Sequence, residues 1–354
     1  MGRKERSEYK ASGTPASRPA DDPETFVERI HAFVRDRLGG QLEEGSLERL
    51  TGGASQETWA FAMQSPLRGT ARLILRRVPT GVAFADVGIG PEREAWLMQR
   101  AGTEGVPVPK VVHVLEPADQ LGRGFISARV DGETLPTRIN RDEQFAAVRP
   151  HLAQQCGTAL ASIHAIDLSD APDLPYRPAK VQLLDLQQMH RNAPVRSPIF
   201  ELSLRWLLLN LPEDSGVSRL VHGDFRNGNL IIGTDGLRAV LDWELAHIGD
   251  PIEDIAYITL NSWRFGTIDN PVGGFGDYEQ LLDGYVAGGL PRPSHSAIRF
   301  WQIMGSLRWG LVCWEMARPP EPGAAVTVER AMIGRRASEV ELDLLDLLTG
   351  DSLA

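Results

Sequence analysis

The segment Val221-His222-Gly223-Asp224-Phe225-Arg226-Asn227-Gly228-Asn229-Leu230 constrains this chain more than any other. It is a polar loop that feeds the apolar run Leu230-Ile231-Ile232. After Gly233-Thr234-Asp235-Gly236 the chain returns through Ala239-Val240-Leu241 to Asp242. Two short β-branched runs joined by glycine-bearing turn residues predict a hairpin. Such a hairpin sets Asp224, Asn229 and Asp242 at strand edges, where backbone geometry can hold three oxygen-bearing side chains together.

The run His222-x-Asp224-x-x-x-x-Asn229 matches the spacing of a kinase catalytic loop, and Asp242 follows one hairpin later, as a metal-binding aspartate does there. Together with Asp242-Trp243-Glu244 and Gly249-Asp250-Pro251-x-x-Asp254-Ile255-Ala256, it resembles the aminoglycoside phosphotransferase family of small-molecule kinases. More narrowly it is similar to the kinase domains attached to some acyl-CoA dehydrogenases. A buried polar hairpin made of ordinary turn formers would need chance to supply each oxygen ligand at its offset.

The resemblance implies an α+β fold, bilobal and protein-kinase-like. Its N-lobe would carry a five-stranded antiparallel sheet with a helix, and its larger C-lobe would be mainly helical. It also implies ATP or GTP as donor, Mg²⁺, and a hydroxyl of a small molecule as acceptor: an antibiotic, or a hydroxyacyl metabolite by the narrower likeness. Asp224 would orient the acceptor hydroxyl and take its proton, and Asn229 and Asp242 would hold the metal, with Glu244 assisting. Arg226 would stabilise charge on the transferring group. His222 is expected to order the loop without moving protons. Asp250, as a helix N-cap, and Asp254 are expected to hold the loop's backbone donors.

Upstream, Gly52, Gly53, Ala54 and Ser55 lie between two strand-like runs, and the resemblance makes that hairpin the cover of the nucleotide phosphates. Kinases place a lysine on the third strand, but this chain has only Lys4, Lys10, Lys110 and Lys180. Arg76 takes that role by the resemblance, with Arg77 as the alternative; the two point to opposite faces of a strand. Glu94 resembles the glutamate partner of that cation, and Glu92 competes for the role. A solvent-facing first-turn glutamate is the plainer reading. The hinge falls at about Ser127 to Gly132, which puts Ser127 and Arg129 beside the adenine, in a cleft between lobes.

The length of 354 residues suits two lobes: 23–130 and 131–354, after a disordered tail over 1–22. Phe26, Ile30, Phe33, Val34 and Leu38 predict an amphipathic helix that stops at Gly39-Gly40. Further helices are expected over 144–166, 181–189, 198–209, 301–316 and 326–348. Arg308 and Trp263 are the residues there read as an acceptor wall, whereas His164 reads as a core histidine.

A net charge of −10 argues against a nucleic-acid partner. Residues 1–130 hold 17 acidic and 18 basic groups against 30 and 19 in 131–354, so the excess lies in the half with the candidate carboxylates. No apolar run is long enough to span a bilayer, and the N-terminus carries no signal-like core. Cys156 and Cys313 read as buried thiols. A cytoplasmic monomer or homodimer is expected. Only a short stretch separates Asp242 from the next helix, leaving no room for the peptide-binding segment of protein kinases. The competing reading is a degenerate kinase fold that holds nucleotide without turnover, suggested by the missing lysine.

Overall fold

The computed structural model describes residues 23–50, 56–66, 69–79, 88–193, 195–212, 218–319 and 326–350. The tail and the residues Gly52, Gly53, Ala54 and Ser55 lie outside them. The chain divides into two compact units. One holds the described residues up to 79 together with Val114–Ile126; the other holds 88–113 and everything from Ser127 on. The sequence reading drew a single boundary near 130.

In the first unit, α1 (Pro23–Asp36) buries Phe26, Ile30, Phe33 and Val34 along one stripe, and Gly39 follows at φ +67°. That stripe meets Phe61 and Met63 of β3 (Glu57–Ser65) and Leu73 and Leu75 of β4 (Gly69–Val78), with Leu115, Leu121 and Ile126 completing the core. Each such side chain contributes about 1.5–3 kcal/mol on leaving water. β1 (Gln41–Leu42) and β2 (Glu48–Leu50) both pair antiparallel with β3, which pairs antiparallel with β4. β5 (Val111–Val114) and β6 (Arg123–Ala128) complete a sheet of order β1-β3-β4-β6-β5, with β2 also on β3. It has six strands, because the two-residue β1 adds one to the expected five.

The two arginines of β4 have different surroundings. Arg77 shares the buried face with Leu73 and Leu75 and is 3 % exposed. Its guanidinium bonds Glu57 at 2.9 Å, donates to Leu121 O and lies 4.0 Å from the Phe26 ring centre. It is a core cation. Arg76 is on the other face, and its Nε donates to Gln56 Oε1 at 2.9 Å.

The second unit begins with α2 (Pro91–Thr103), where Pro91 pre-sets the first turn. α3 (Pro136–Arg141) leads to α4 (Arg149–His164). The single helix expected over 144–166 is a 3₁₀ turn followed by α4, because Pro150 belongs in a first turn and not in a helix interior. α5 (Ala179–Asn192) and α6 (Pro198–Leu209) match their sequence signals.

β7 (Arg219–Val221), β8 (Leu230–Gly233), β9 (Gly236–Val240) and β10 (His247–Gly249) form two ladders, β7 with β10 and β8 with β9. They frame the polar loop, and α7 (Ile252–Tyr257) follows β10 directly. α8 (Tyr278–Ala287) packs on α4 at backbone distance: a Cβ on Gly157 would sit 2.0 Å from Leu281 O, and one on Gly284 would sit 2.1 Å from Gln154 O. α9 (His295–Met316) buries residues around most of its circumference and is a central core helix. α10 (Val328–Arg335) and α11 (Ala337–Thr349) replace the one final helix expected, with Arg336 between them.

Among the described residues no helix is long and apolar enough to cross a membrane. Cys156 and Cys313 are free and buried, and burial pushes the Cys313 thiol up to about 12.

Candidate active site

The loop between β7 and β8 joins three predicted residues through their side chains. Asn229 Nδ2 donates to Asp224 Oδ2 at 2.6 Å and to Asp224 O at 3.0 Å. Arg226 Nε lies 3.2 Å from both Asp224 oxygens. The Arg226 guanidinium sits 4.6 Å from the centre of the Trp263 ring, which backs it as a flat platform. Asp224 and Arg226 remain partly exposed, at 15 % and 24 % of their side chains. A carboxylate held at both oxygens yet still open to solvent can receive a hydroxyl proton.

The hairpin brings in the next residue. Leu241 N donates to Asn229 O at 2.8 Å, so Asp242 stands one residue past a fixed backbone contact. Asp242 is one of the few non-glycine residues at positive φ, +66°, a conformation that disfavours most side chains and concentrates at functional sites. Glu244 follows within the 3₁₀ turn Trp243–Leu245 and is partly buried. Among the described residues no group of three or more His, Cys, Asp or Glu forms a metal cage. One carboxylate, an amide oxygen and a neighbouring glutamate are instead the sparse set that Mg²⁺ accepts when phosphate oxygens and water fill the remaining positions.

The remaining predicted residues lie elsewhere in the chain: Arg76 on β4, Glu94 on α2, and Ser127 and Arg129 at and just past the end of β6. Glu94 is fully buried in α2, which overturns the solvent-facing first-turn reading. Ser127 is buried at the end of β6 and Arg129 is exposed just beyond it.

Behind the loop lies a buried framework. His222 Nε2 donates to Leu241 O at 3.0 Å, and His222 Nδ1 accepts from Asp224 N. Those partners fix the neutral tautomer. Burial also pushes its pKa down, against the pull of Asp254, Asp224 and Asp242. Its ring packs on the fully buried Trp243. Asp254 of α7 accepts from His222 N at 2.7 Å and Gly223 N at 2.9 Å, as expected of a residue that holds the loop's donors. It also bonds His164 Nε2 at 3.1 Å, whose Nδ1 meets Tyr285 OH at 3.0 Å. Burial alone would raise the Asp254 carboxyl, but His164 and His222 hold it below its ordinary value.

Asp250 differs from expectation. It accepts from Ile252 N at 3.0 Å and from Trp301 Nε1 at 2.9 Å, so it ties the chain just before α7 to α9 without touching the loop, and Pro251 stands at the N-cap in its place. Arg308 and Trp263 are not an acceptor wall. Arg308 donates to Glu253 at 3.0 Å and to Gly223 O at 2.9 Å, while Trp263 is 3 % exposed among Tyr257 and Trp309. Asn227, passed over in the sequence, is fully buried and donates to Asn140 Oδ1 and to Gly273 O at 2.6 Å. No local pattern separates it from Asn229; its partners lie 87 and 46 residues away in the chain.

The chain has recognisable relatives in sequence and in fold. Over 262 residues the chain is 35 % identical to acyl-CoA dehydrogenase family member 10 of Mus musculus, a match covering 70 % of this chain and 23 % of that protein. The chain thus spans about a quarter of that relative's length. In fold it is similar to a candidate aminoglycoside phosphotransferase of Ralstonia eutropha JMP134, with a TM-score of 0.68 at 22 % identity over 91 % of this chain and 97 % of that one. It is also similar to a thermostable mutant of aminoglycoside phosphotransferase APH(4)-Ia in ternary complex with AMP-PNP and hygromycin B, with a TM-score of 0.58 at 16 % identity over 92 % and 99 % of the two chains. These likenesses make the fold kinase-like, α+β with an antiparallel sheet and a mainly helical second unit. The phosphotransferase enzyme family model (APH) matches residues 46–292, from the first sheet through the polar loop and α7, and the chain belongs to that family.

Proposed function

We propose that this chain transfers the γ-phosphoryl group of ATP or GTP to a hydroxyl of a small molecule. One observation carries the reading: Asp224 is gripped by Asn229 at 2.6 Å and by Arg226 at 3.2 Å while staying open to solvent. In a loose phosphoryl-transfer transition state the protein has little covalent work to do, and catalysis is positioning plus charge stabilisation. Asp224 accepts a hydrogen bond from the acceptor hydroxyl, aims its oxygen, and takes the proton as the new O–P bond forms. Arg226, stacked on Trp263, neutralises charge on the equatorial oxygens. Asn229 spends its amide nitrogen on Asp224, which leaves its Oδ1 as a ligand beside Asp242 and Glu244. Those three residues would hold Mg²⁺, which neutralises phosphate charge when bound. Arg76, Glu94, Ser127, Arg129 and the hairpin Gly52, Gly53, Ala54 and Ser55 are proposed for the nucleotide. The AMP-PNP complex of the APH(4)-Ia neighbour supports an adenine nucleotide as donor.

The acceptor class follows from two points. The stretch from Trp243 to Pro251 forms a 3₁₀ turn and the short β10, so no extended segment is present to dock a peptide. The name of the mouse relative supports a hydroxylated acyl metabolite ahead of an antibiotic. A second reading, a nucleotide-binding protein without turnover, is favoured only by the arginine at position 76.

The test is incubation with Mg²⁺, labelled ATP or GTP, and a library holding hydroxyacyl thioesters, aminoglycosides and macrolides. Transfer to a hydroxyl is expected, falling about 10²- to 10⁴-fold in Asp224→Asn. Nucleotide binding with no transfer to any acceptor would replace this reading with the second one.

A further inference from the structure

The loop that carries Asp224 is held from both sides of a single residue, and one of the two holds comes from beyond the residues matched by the family model. Gly223 N donates to Asp254 Oδ1 at 2.9 Å, and Gly223 O accepts from Arg308 NH2 at 2.9 Å. Arg308 lies on α9, past the end of the 46–292 match. Gly223 has φ +82°, and a Cβ there would sit 2.4 Å from Leu245 O. The backbone before Asp224 is therefore fixed by its two bonds and by a close approach, with no side chain of its own to help.

Arg308 is itself held rigidly. Its NH1 donates to Glu253 Oε1 at 3.0 Å, and its guanidinium lies 4.5 Å from the centre of the Tyr257 ring. Glu253 is 4 % exposed, and its other oxygen accepts from Gln182 Nε2 at 2.6 Å and meets His247 Nε2 at 3.2 Å. His247 Nδ1 in turn meets Leu245 O at 2.9 Å, the carbonyl that crowds Gly223. Glu253, Arg308 and His247 thus close a ring around Gly223, and the adjacent Asp254 completes it. Three buried polar groups and one half-buried guanidinium spent on one glycine are more than packing requires, since an apolar contact would fill the same space at lower desolvation cost. What the ring does supply is a fixed direction for the next residue.

We infer that Arg308 is a positioning residue for phosphoryl transfer, setting the aim of the Asp224 carboxylate through the carbonyl of Gly223. The inference rests on the kinase reading above. Misaiming a reacting group by about 1 Å costs on the order of 100-fold, whereas donor binding on other elements is left in place. The arginine geometry is specific: one planar group serves Glu253 and Gly223 O at once, which a lysine cannot reproduce.

The experiment compares the wild type with Arg308→Lys, Arg308→Met and Arg308→Ala, scoring kcat and nucleotide KM with the acceptor from the library screen and melting each variant to verify the fold. Arg308→Met should lose about 10- to 100-fold in kcat with nucleotide KM changed less than about threefold. Arg308→Lys should fall between, and added guanidinium should restore part of the rate of Arg308→Ala. A kcat within about twofold of wild type in folded Arg308→Lys and Arg308→Met would overturn the inference while leaving the kinase reading intact. So would losses shared equally by kcat and nucleotide affinity, or a folded Arg308→Ala that guanidinium does not revive. A wild type that moves phosphate to nothing overturns both readings together.

Discussion

The front and the back of the Val221–Leu230 loop are built on opposite principles. At the front, Asp224, Arg226 and Asn229 bond mainly to one another, and two of them keep 15 % and 24 % of their side chains in solvent. At the back, His222 and Asn227 are fully buried and are anchored to groups more than fifteen residues away in sequence: Leu241, Asn140 and Gly273. Asp254 and Arg308 grip the backbone between them. The difference separates two tasks. On the proposed function, groups that meet substrate would be cheap to remove and costly for turnover, whereas the buried groups that hold the loop would be costly for both.

The largest expected effect breaks the back. Asp254→Ala leaves His164 and two loop N–H groups buried without their acceptor, so stability should fall by about 3–5 kcal/mol and turnover with it. Asp224→Asn should lose turnover with unfolding stability within about 0.5 kcal/mol of wild type. Chemical denaturation of the two variants side by side checks the contrast, and equal stabilities would erase it.

A smaller effect sharpens the comparison within the back. Asn227→Ala removes the donor to Gly273 O and Asn140 Oδ1 and should cost about 1–3 kcal/mol. Its kcat loss should track the melting shift, unlike that of Arg308→Lys. A stability unchanged from wild type would show that the Asn140 end of the framework carries no weight.

The smallest effect is set by pH. His222 has its folded pKa pushed below 6.5, chiefly by burial, so its contribution is present above 6.5 and is lost as pH falls. Asp254 and Glu253, held below their ordinary 3.8 and 4.5, lose theirs only at lower pH. His247 runs the other way: burial opposes its charge, but Glu253 outweighs it and raises the pKa above 6.5, so its contribution fades as pH rises. Stability should therefore peak near 6.5, with each proton worth at most about 1.4 kcal/mol per pH unit. Melting temperatures across this range test the peak, and in His222→Gln the first decline on the acid side should disappear.

The front was legible in the sequence because it is local. Asp224, Arg226 and Asn229 fall within six residues, and the β8–β9 turn spells its own geometry. Asp254 could be read because it sits in the same motif run. The remainder of the back was not legible. Arg308 meets Gly223 across 85 residues, and the pattern of α9 does not say which of its buried faces meets the loop. Strand alternation predicted that Arg76 and Arg77 part company, but only the aromatic and acidic surroundings of Arg77 show which one the core claims. The break at Arg336 is announced only by Gly334 in the last turn of α10, and helical periodicity alone runs straight through.

The left-handed backbone at Asp242 has a bearing on how variants of this chain would fare under selection. An aspartate at φ +66° stores strain of about 1 kcal/mol or more, which glycine would release. Asp242→Gly is then a change that relieves backbone strain and, on the proposed function, strips the hairpin of a metal ligand. A library sorted for thermal survival alone would drift toward that substitution, yielding sturdier but silent proteins. Sorting on turnover would keep the strained residue.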